Sequence, residues 1–180
     1  GGKKDDTSGK GLVHIYCGDG KGKTTTSVGL TVRAAGSGKK VLFYQFLKNN
    51  SSSERSILEK QLGINVVSGK ELQKFTFQMN EEELKELRDY NNEMLDKLFE
   101  MAKDYDMLVL DESVYSIDKD LLDEAKLIEH LEKKPFALEV VLSGRNPSER
   151  LIDHADYVSE IRKIKHPFDQ GISSRIGIEM

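Results

Sequence analysis

"YCGDGKGKTTTSVGL", Tyr16 to Leu30, is the stretch whose reading decides the fold of this chain. Its glycine-rich part closes on Gly22-Lys23-Thr24, as a phosphate-binding loop of the pattern G-x-x-x-x-G-K-[ST] does, yet the place of the first glycine in that pattern holds Cys17. The glycine comes one residue later, at Gly18. Residues 12–17, "LVHIYC", are a short β-prone run, and "TTTSVGLTVRAAGSG" after the loop reads as a helix closed by Gly36 and Gly38. A strand, a glycine turn and a helix in that order converge backbone N–H groups and a helix N-terminus on an anion. Lys23 is then placed to neutralise charge, and the Thr24 hydroxyl to ligate a divalent cation. The plainer alternative, a Gly/Lys surface turn, leaves the flanking strand and helix unexplained.

Working outward, "KVLFYQFLK" (40–48) is too continuously apolar for a one-faced strand and suits one buried on both sides, as parallel sheets require. A polar loop, "NNSSSE", precedes "SERSILEKQLG" and "INVVS", which repeat the order helix then strand. Asn80 and Glu83 stand at capping-box spacing, and the apolar residues Leu84, Leu87, Met94, Leu95, Leu98 and Met101 recur at helical spacing after them. "MLVLDE" (107–112) is a buried strand ending in Asp111 and Glu112; ligands of open α/β sheets bind at that end of a strand, and a carboxylate there can hold Mg²⁺ directly or through water. "DLLDEAKLIEHLEKK" reads as a helix, "FALEVVLSGRN" as a strand and its exit loop carrying Arg145, "PSERLIDHA" as a short helix and "DYVSEI" as a last strand. This alternation predicts a single α/β domain, a mostly parallel sheet with helices on both faces.

Two stretches carry less decided readings. "KFTFQM" (74–79) alternates so that Phe75, Phe77 and Met79 share a face, which predicts an edge strand or hairpin over the core. "RKIKHPFDQGI" (162–172) is a basic turn with a rigid bend at His166-Pro167. No nucleophile–base constellation appears and the four histidines are scattered, so the attacking group is expected not to be a protein side chain.

A chain of 180 residues that is 37% hydrophobic and 32% charged fits one globular domain. Its net charge of -4 gives no general footprint for nucleic acid, although Lys and Arg outnumber acids in the first fifty residues, around the glycine loop. One cysteine excludes an internal disulfide framework or a Cys-rich zinc site, and points to a reducing compartment, the cytoplasm. No apolar run approaches the roughly 20 residues that span a bilayer, so no membrane partner is expected. Residues 1–10 read as an expression scar and flexible tail, and 11–180 as the domain.

Taken together, "GDGKGKTT", "RAAGSGKKVLFYQFLK", "LVLDE" and "SGRNPSERLIDHADYVSEIRKIKHPFDQGI", in this order and spacing, closely resemble the ATP:corrinoid (cob(I)alamin) adenosyltransferases. The match runs from about Leu12 to the C-terminal "GIEM". It implies a P-loop NTPase (RecA-like) domain that transfers the 5′-deoxyadenosyl group of ATP to Co(I) of a reduced corrinoid such as cobalamin, releasing triphosphate, in cobalamin synthesis or salvage. The family has the shortened loop and is understood to lay ATP in it reversed, so that the loop holds a leaving group. By position, Gly18, Asp19, Gly20, Lys21, Gly22, Lys23, Thr24 and Thr25 would bind the triphosphate. Lys23, Thr24 and Glu112 would serve catalysis, and Thr24, Asp111 and Glu112 would ligate Mg²⁺ or Mn²⁺. Arg33 and Arg145 would help to hold the nucleotide. The family's corrinoid-facing Phe-Thr-Trp loop, which displaces the lower axial ligand and eases reduction of Co(II), is matched here by Phe75-Thr76-Phe77. An electron donor such as a flavoprotein and a homodimer are implied as well; members often close the partner's site with an N-terminal segment. Two other readings stay open: a nucleoside kinase of the thymidine-kinase type, which usually needs a Cys-rich zinc lobe, and a non-catalytic corrinoid or nucleotide carrier.

Overall fold

Six parallel strands form the sheet that carries the glycine loop: β1 (Val13–Cys17), β2 (Val41–Gln45), β3 (Ile64–Val66), β4 (Met107–Asp111), β5 (Glu139–Ser143) and β6 (Tyr157–Glu160), in the order β3-β2-β4-β5-β1-β6. The structure is a computed structural model and describes residues 8–50 and 52–180. Most of the tail expected over residues 1–10, its first seven residues, lies outside the described residues. The helices are α1 (Lys23–Gly36), α2 (Ser53–Leu58), α3 (Glu81–Met101), α4 (Ser113–Asp118), α5 (Glu124–Lys133) and α6 (Glu149–Asp153).

The central strands alternate between two cores, which is why their sequences are apolar throughout. From β2, Leu42 and Tyr44 pack with Leu95, Leu98 and Phe99 of α3 and Leu127 and Leu131 of α5, while Val41 and Phe43 pack with Ala34 of α1 and Leu58 of α2. From β4, Leu108 and Leu110 face the first core and Met107 and Val109 the second. Helices therefore cover both faces, as the alternation of elements predicts.

The expected start of α3 is realised atom by atom. Asn80 Oδ1 accepts the Glu83 N–H at 2.8 Å, and Glu83 Oε1 accepts the Asn80 N–H at 3.3 Å. Between β4 and α5 the chain departs from expectation. Residues 113–118 already form α4, and α5 begins at Glu124 because the Asp123 carboxylate caps the N–H groups of Ala125 and Lys126.

"KFTFQM" is not an edge strand, and this corrects the reading from its alternation. Thr76–Gln78 is a single 3₁₀ turn: the Gln78 N–H donates to the Phe75 carbonyl, and the Phe75 N–H donates back to Gln78 Oε1 at 3.2 Å. This local side-chain bond occupies a backbone group that a strand ladder would need. Phe75 and Phe77 consequently remain 69% and 82% exposed. Among the described residues no helix is long and apolar enough to cross a membrane.

Candidate active site

The register of the sheet brings four strand ends together. Tyr16 of β1 pairs with Ser143 of β5, and Gln45 of β2 pairs with Asp111 of β4, so the loops leaving β1, β2, β4 and β5 converge on one edge. Strand β5 lies between β1 and β4, which separates the glycine loop from Asp111 by the width of one strand.

Cys17 is the last residue of β1, in register with Glu160 of β6, and its side chain is buried. The loop therefore starts at Gly18, which accounts for the displaced glycine. Gly18 adopts φ +102, and a Cβ on it would lie 2.2 Å from the Ile161 carbonyl oxygen. Gly20 also packs on this backbone, its N–H donating to Ile161 O at 2.9 Å. The loop is held by two neighbouring segments: the Gly18 N–H donates to Arg145 O, in the loop leaving β5, at 3.0 Å, and the Lys163 N–H, in the strap leaving β6, donates to Asp19 Oδ1 at 2.9 Å. That bond, ahead of the charges of Lys163 and Arg145, lowers the Asp19 pKa.

Helix α1 begins at Lys23 with no side chain capping its first turn and no acid in it, so N–H groups of that turn are free to meet an anion. Lys23 Nζ donates to the loop's own Gly20 carbonyl at 2.8 Å; burial lowers its pKa, and the neighbouring Glu112 works in the opposite direction.

Opposite the loop, Asp111 is fully buried and densely bonded. Thr24 Oγ1 donates to Asp111 Oδ2 at 2.9 Å, and Ser143 Oγ donates to Asp111 Oδ1 at 2.7 Å. Ser143 Oγ also accepts the Glu112 N–H at 2.9 Å, so one hydroxyl fixes both acids. Gln45 Nε2 reaches Asp111 Oδ2 at 3.4 Å and Glu54 Oε1 at 2.9 Å. Glu112 has φ 62, in the left-handed region. This turn aims its carboxylate at the cleft, and burial, followed by the charge of Asp111, raises its pKa.

These groups open on a cleft of about 1410 Å³ whose walls include Gly20–Thr25, Glu112, Tyr115, the segment 72–78 and the C-terminal residues 176–180. The rings of Phe75 and Phe77 stack with centroids 5.4 Å apart and planes 7° from parallel, on the same cleft. Their loop is tied to the exit of β2: Asn50 exchanges two hydrogen bonds with Gly69, at 3.0 and 3.1 Å, and Asn49 Oδ1 accepts the Leu72 N–H at 2.8 Å. Arg55 Nη2 donates to Ser68 Oγ at 2.9 Å from behind.

Of the residues singled out in the sequence, Gly20, Lys21, Gly22, Lys23, Thr24, Thr25, Glu112, Phe75 and Phe77 line this cleft. Gly18, Asp19 and the Arg145 backbone support the loop from behind, and Asp111 lies beneath Thr24. Arg33 is not brought in; it lies ten residues along α1 from Lys23, about 15 Å at the helical rise, exposed and beside Tyr16. None of the four histidines lines the cleft. Ser143, Lys48, Gln45, Glu54 and the C-terminal residues join the site without any motif in the sequence that marks them. Ser143 stands inside the "SGRN" that drew attention to Arg145, but a serine closing an apolar strand has no signal of its own.

The donors beside Thr24 are all oxygens, a hydroxyl and two carboxylates, which suits a hard divalent cation such as Mg²⁺ or Mn²⁺. Among the described residues no cluster of three His, Cys, Asp or Glu could hold a metal unaided, so such a cation would complete its shell with phosphate oxygens and water.

Comparison with known proteins adds four findings. Residues 9–180 match the family model described as ATP:corrinoid adenosyltransferase BtuR/CobO/CobP. The chain is 33% identical over 175 residues to a corrinoid adenosyltransferase of Escherichia coli K12, covering 94% of this chain and 86% of that one. With the Salmonella typhimurium enzyme of the same name it shares 34% over 175 residues, at the same 94% and 86% coverage. Among solved structures it is similar to a KaiC-like protein of Pyrococcus horikoshii, with TM-score 0.53 and 18% identity over 88% of this chain and 75% of that one. This likeness concerns the fold alone, a parallel sheet with helices on both faces.

Proposed function

The chain belongs to the ATP:corrinoid adenosyltransferases of the BtuR/CobO/CobP family, and from that premise we propose how its cleft adenosylates a corrinoid at the expense of ATP. The activity serves cobalamin synthesis or salvage. The loop Gly18 to Thr25 and the start of α1 bind the triphosphate, Gly18 and Gly20 shaping the turn through their N–H bonds to Arg145 and Ile161, and Lys23 neutralises it. Thr24, Asp111 and Glu112 would hold Mg²⁺ or Mn²⁺, which would offset charge on the triphosphate. Arg145, whose charge acts on both Asp19 and Lys23, adds to the positive field behind the loop.

The reduced corrinoid is the second substrate. Its Co(I) supplies the electron pair, the Co–C5′ bond forms, the C5′–O bond to triphosphate breaks, and the pair leaves on the triphosphate. No proton moves in this step. The observation that carries the reading is a single cleft walled on one side by the glycine loop and on the other by two exposed, stacked phenylalanines, with no histidine to act on water. Phe75 and Phe77 face the corrinoid and keep its lower axial ligand away from cobalt. The protein's contribution is then to orient the two reactants and stabilise the leaving charge. An electron donor such as a flavoprotein, a homodimer and a cytoplasmic location complete the proposal.

The test is incubation with ATP, Mg²⁺ and chemically reduced cobalamin, following the corrinoid spectrum and the phosphate products. Adenosylcobalamin and triphosphate, formed in equal amounts and only with corrinoid present, are expected. ADP released in the absence of corrinoid would mark a kinase or ATPase, and bound but unreacted substrates a carrier.

A further inference from the structure

Lys48 lines the cleft beside Thr24 and Asp111 and takes no part in the reaction proposed for it. Strand β2 ends at Gln45, and the Phe46 N–H is still held by the Asp111 carbonyl at 2.9 Å. Leu47 then takes φ 56, a left-handed conformation that is an outlier for a bulky side chain. This turn folds Lys48 back over the sheet edge, where Nζ lies 3.5 Å from Thr24 Oγ1 and 3.7 Å from Asp111 Oδ2. The next two residues, Asn49 and Asn50, pin the turn through their bonds to Leu72 and Gly69.

The charge pattern gives the position its meaning. Asp111 is 0% exposed, and a buried carboxylate needs a compensating cation. Among the described residues Lys48 is its one ion-pair partner. Lys23, an ammonium on the glycine loop's side of the cleft, is directed at the Gly20 carbonyl of the loop. The two lysines therefore divide the site, one serving the anion loop and the other standing on the two oxygens that face a metal.

We propose that Lys48 is a positioning residue whose ammonium holds the cation place at Thr24 Oγ1 and Asp111 Oδ2 until a divalent cation arrives with the nucleotide, and that it competes with free metal for those oxygens. The inference rests on the reading that Thr24 and Asp111 face the metal. It explains how the buried Asp111 carboxylate keeps its place before the nucleotide arrives. It also means that free metal binds the empty cleft poorly, so that metal and ATP enter together. Because Lys48 is a third exposed, its ammonium can leave Asp111 without being buried elsewhere.

The experiment is Mn²⁺ titration of the full chain without nucleotide, with free Mn²⁺ read from its electron paramagnetic resonance signal. Lys48→Met should bind Mn²⁺ more tightly than the parent by about threefold or more, the scale of a partly exposed ion pair. Lys48→Arg, which keeps the charge, should bind as weakly as the parent, and Lys48→Met combined with Asp111→Asn should lose the gain. Unchanged or weaker binding by Lys48→Met overturns the role of Lys48. The metal reading is checked separately with ATP present: if Asp111→Asn then binds Mn²⁺ as the parent does, that reading falls and takes this inference with it; if Asp111→Asn loses Mn²⁺ while Lys48→Met gains nothing, only the inference falls.

Discussion

Ser143, the last residue of β5, donates its hydroxyl to Asp111 Oδ1 at 2.7 Å while accepting the Glu112 N–H at 2.9 Å, so the strand between the glycine loop and the acids is also what positions the acids. Ser143→Ala leaves a buried carboxylate oxygen and a backbone N–H without this partner. The expected cost is about 1–3 kcal/mol of folding stability. A shift of Asp111 and Glu112 by a fraction of an ångström should lower turnover about tenfold or more. Urea denaturation and the adenosylation rate measure the two effects; a normal rate would mean that the acids hold their places without Ser143.

Gly18 tolerates no side chain. At φ +102 an L-residue is strained, and its Cβ would meet the Ile161 carbonyl at 2.2 Å, backbone against backbone. Gly18→Ala should therefore push the loop off the β6 strap, break the Gly20 to Ile161 hydrogen bond and abolish ATP binding. Gly36→Ala is the control, since a Cβ there meets nothing within 4 Å. Equilibrium binding of ATP to both variants decides the matter, and an alanine at position 18 that binds normally would contradict this account of the displaced glycine.

Glu112 should cost the fold stability in exchange for its place in the cleft. Burial, then the Asp111 charge, raises its pKa above the ordinary 4.5. In the window from about that value up to the raised one, the folded protein keeps a proton that the unfolded chain releases, so this group's contribution to stability falls as pH rises. Glu112→Gln removes the titration. It should melt higher than the parent at neutral pH, with the difference shrinking toward pH 4, and lose activity by about 10²–10³-fold. Melting curves at several pH values test the sign; a parent that outlasts the variant more as pH rises would reverse it.

The sequence exposed those parts of the molecule whose causes are local. A continuous apolar run in β2 follows from burial on two faces, the Asn80–Glu83 cap needs only residues three apart, and Cys17 could be suspected because a loop motif counts residues. What escaped depends on distant pairings. Ser143 acquires its role only because β5 is inserted between β1 and β4, and Lys48 only because Leu47 turns back across the sheet. "KFTFQM" misled for the opposite reason: period two is a strand signal when one face is buried, and here neither phenylalanine is. The site was thus legible as a glycine loop and two acids, but not as the framework that fixes the acids.

The stacked phenylalanines give the sharpest test of what the cleft is for. Had Phe75 and Phe77 covered the core, truncating either to Ala would destabilise the fold by roughly 3–5 kcal/mol. At 69% and 82% exposure they bury too little for that, so both alanine variants should melt close to the parent. Two large apolar rings held in water next to a glycine loop do, however, suit an apolar partner inside the cleft. If that partner is the corrinoid, the rings exclude the lower axial ligand from cobalt, which matters when Co(II) must be reduced and hardly at all when Co(I) is supplied. Phe75→Ala and Phe77→Ala should accordingly keep much of their rate with chemically pre-formed Co(I) and lose most of it from Co(II) with a mild reductant. Phe77→Trp should hold or raise the Co(II)-dependent rate, because a larger ring covers the same face. The quantity to compare across variants is the ratio of the two rates: a ratio unchanged by either alanine substitution would remove the phenylalanines from the corrinoid face, whatever happens to the rates themselves.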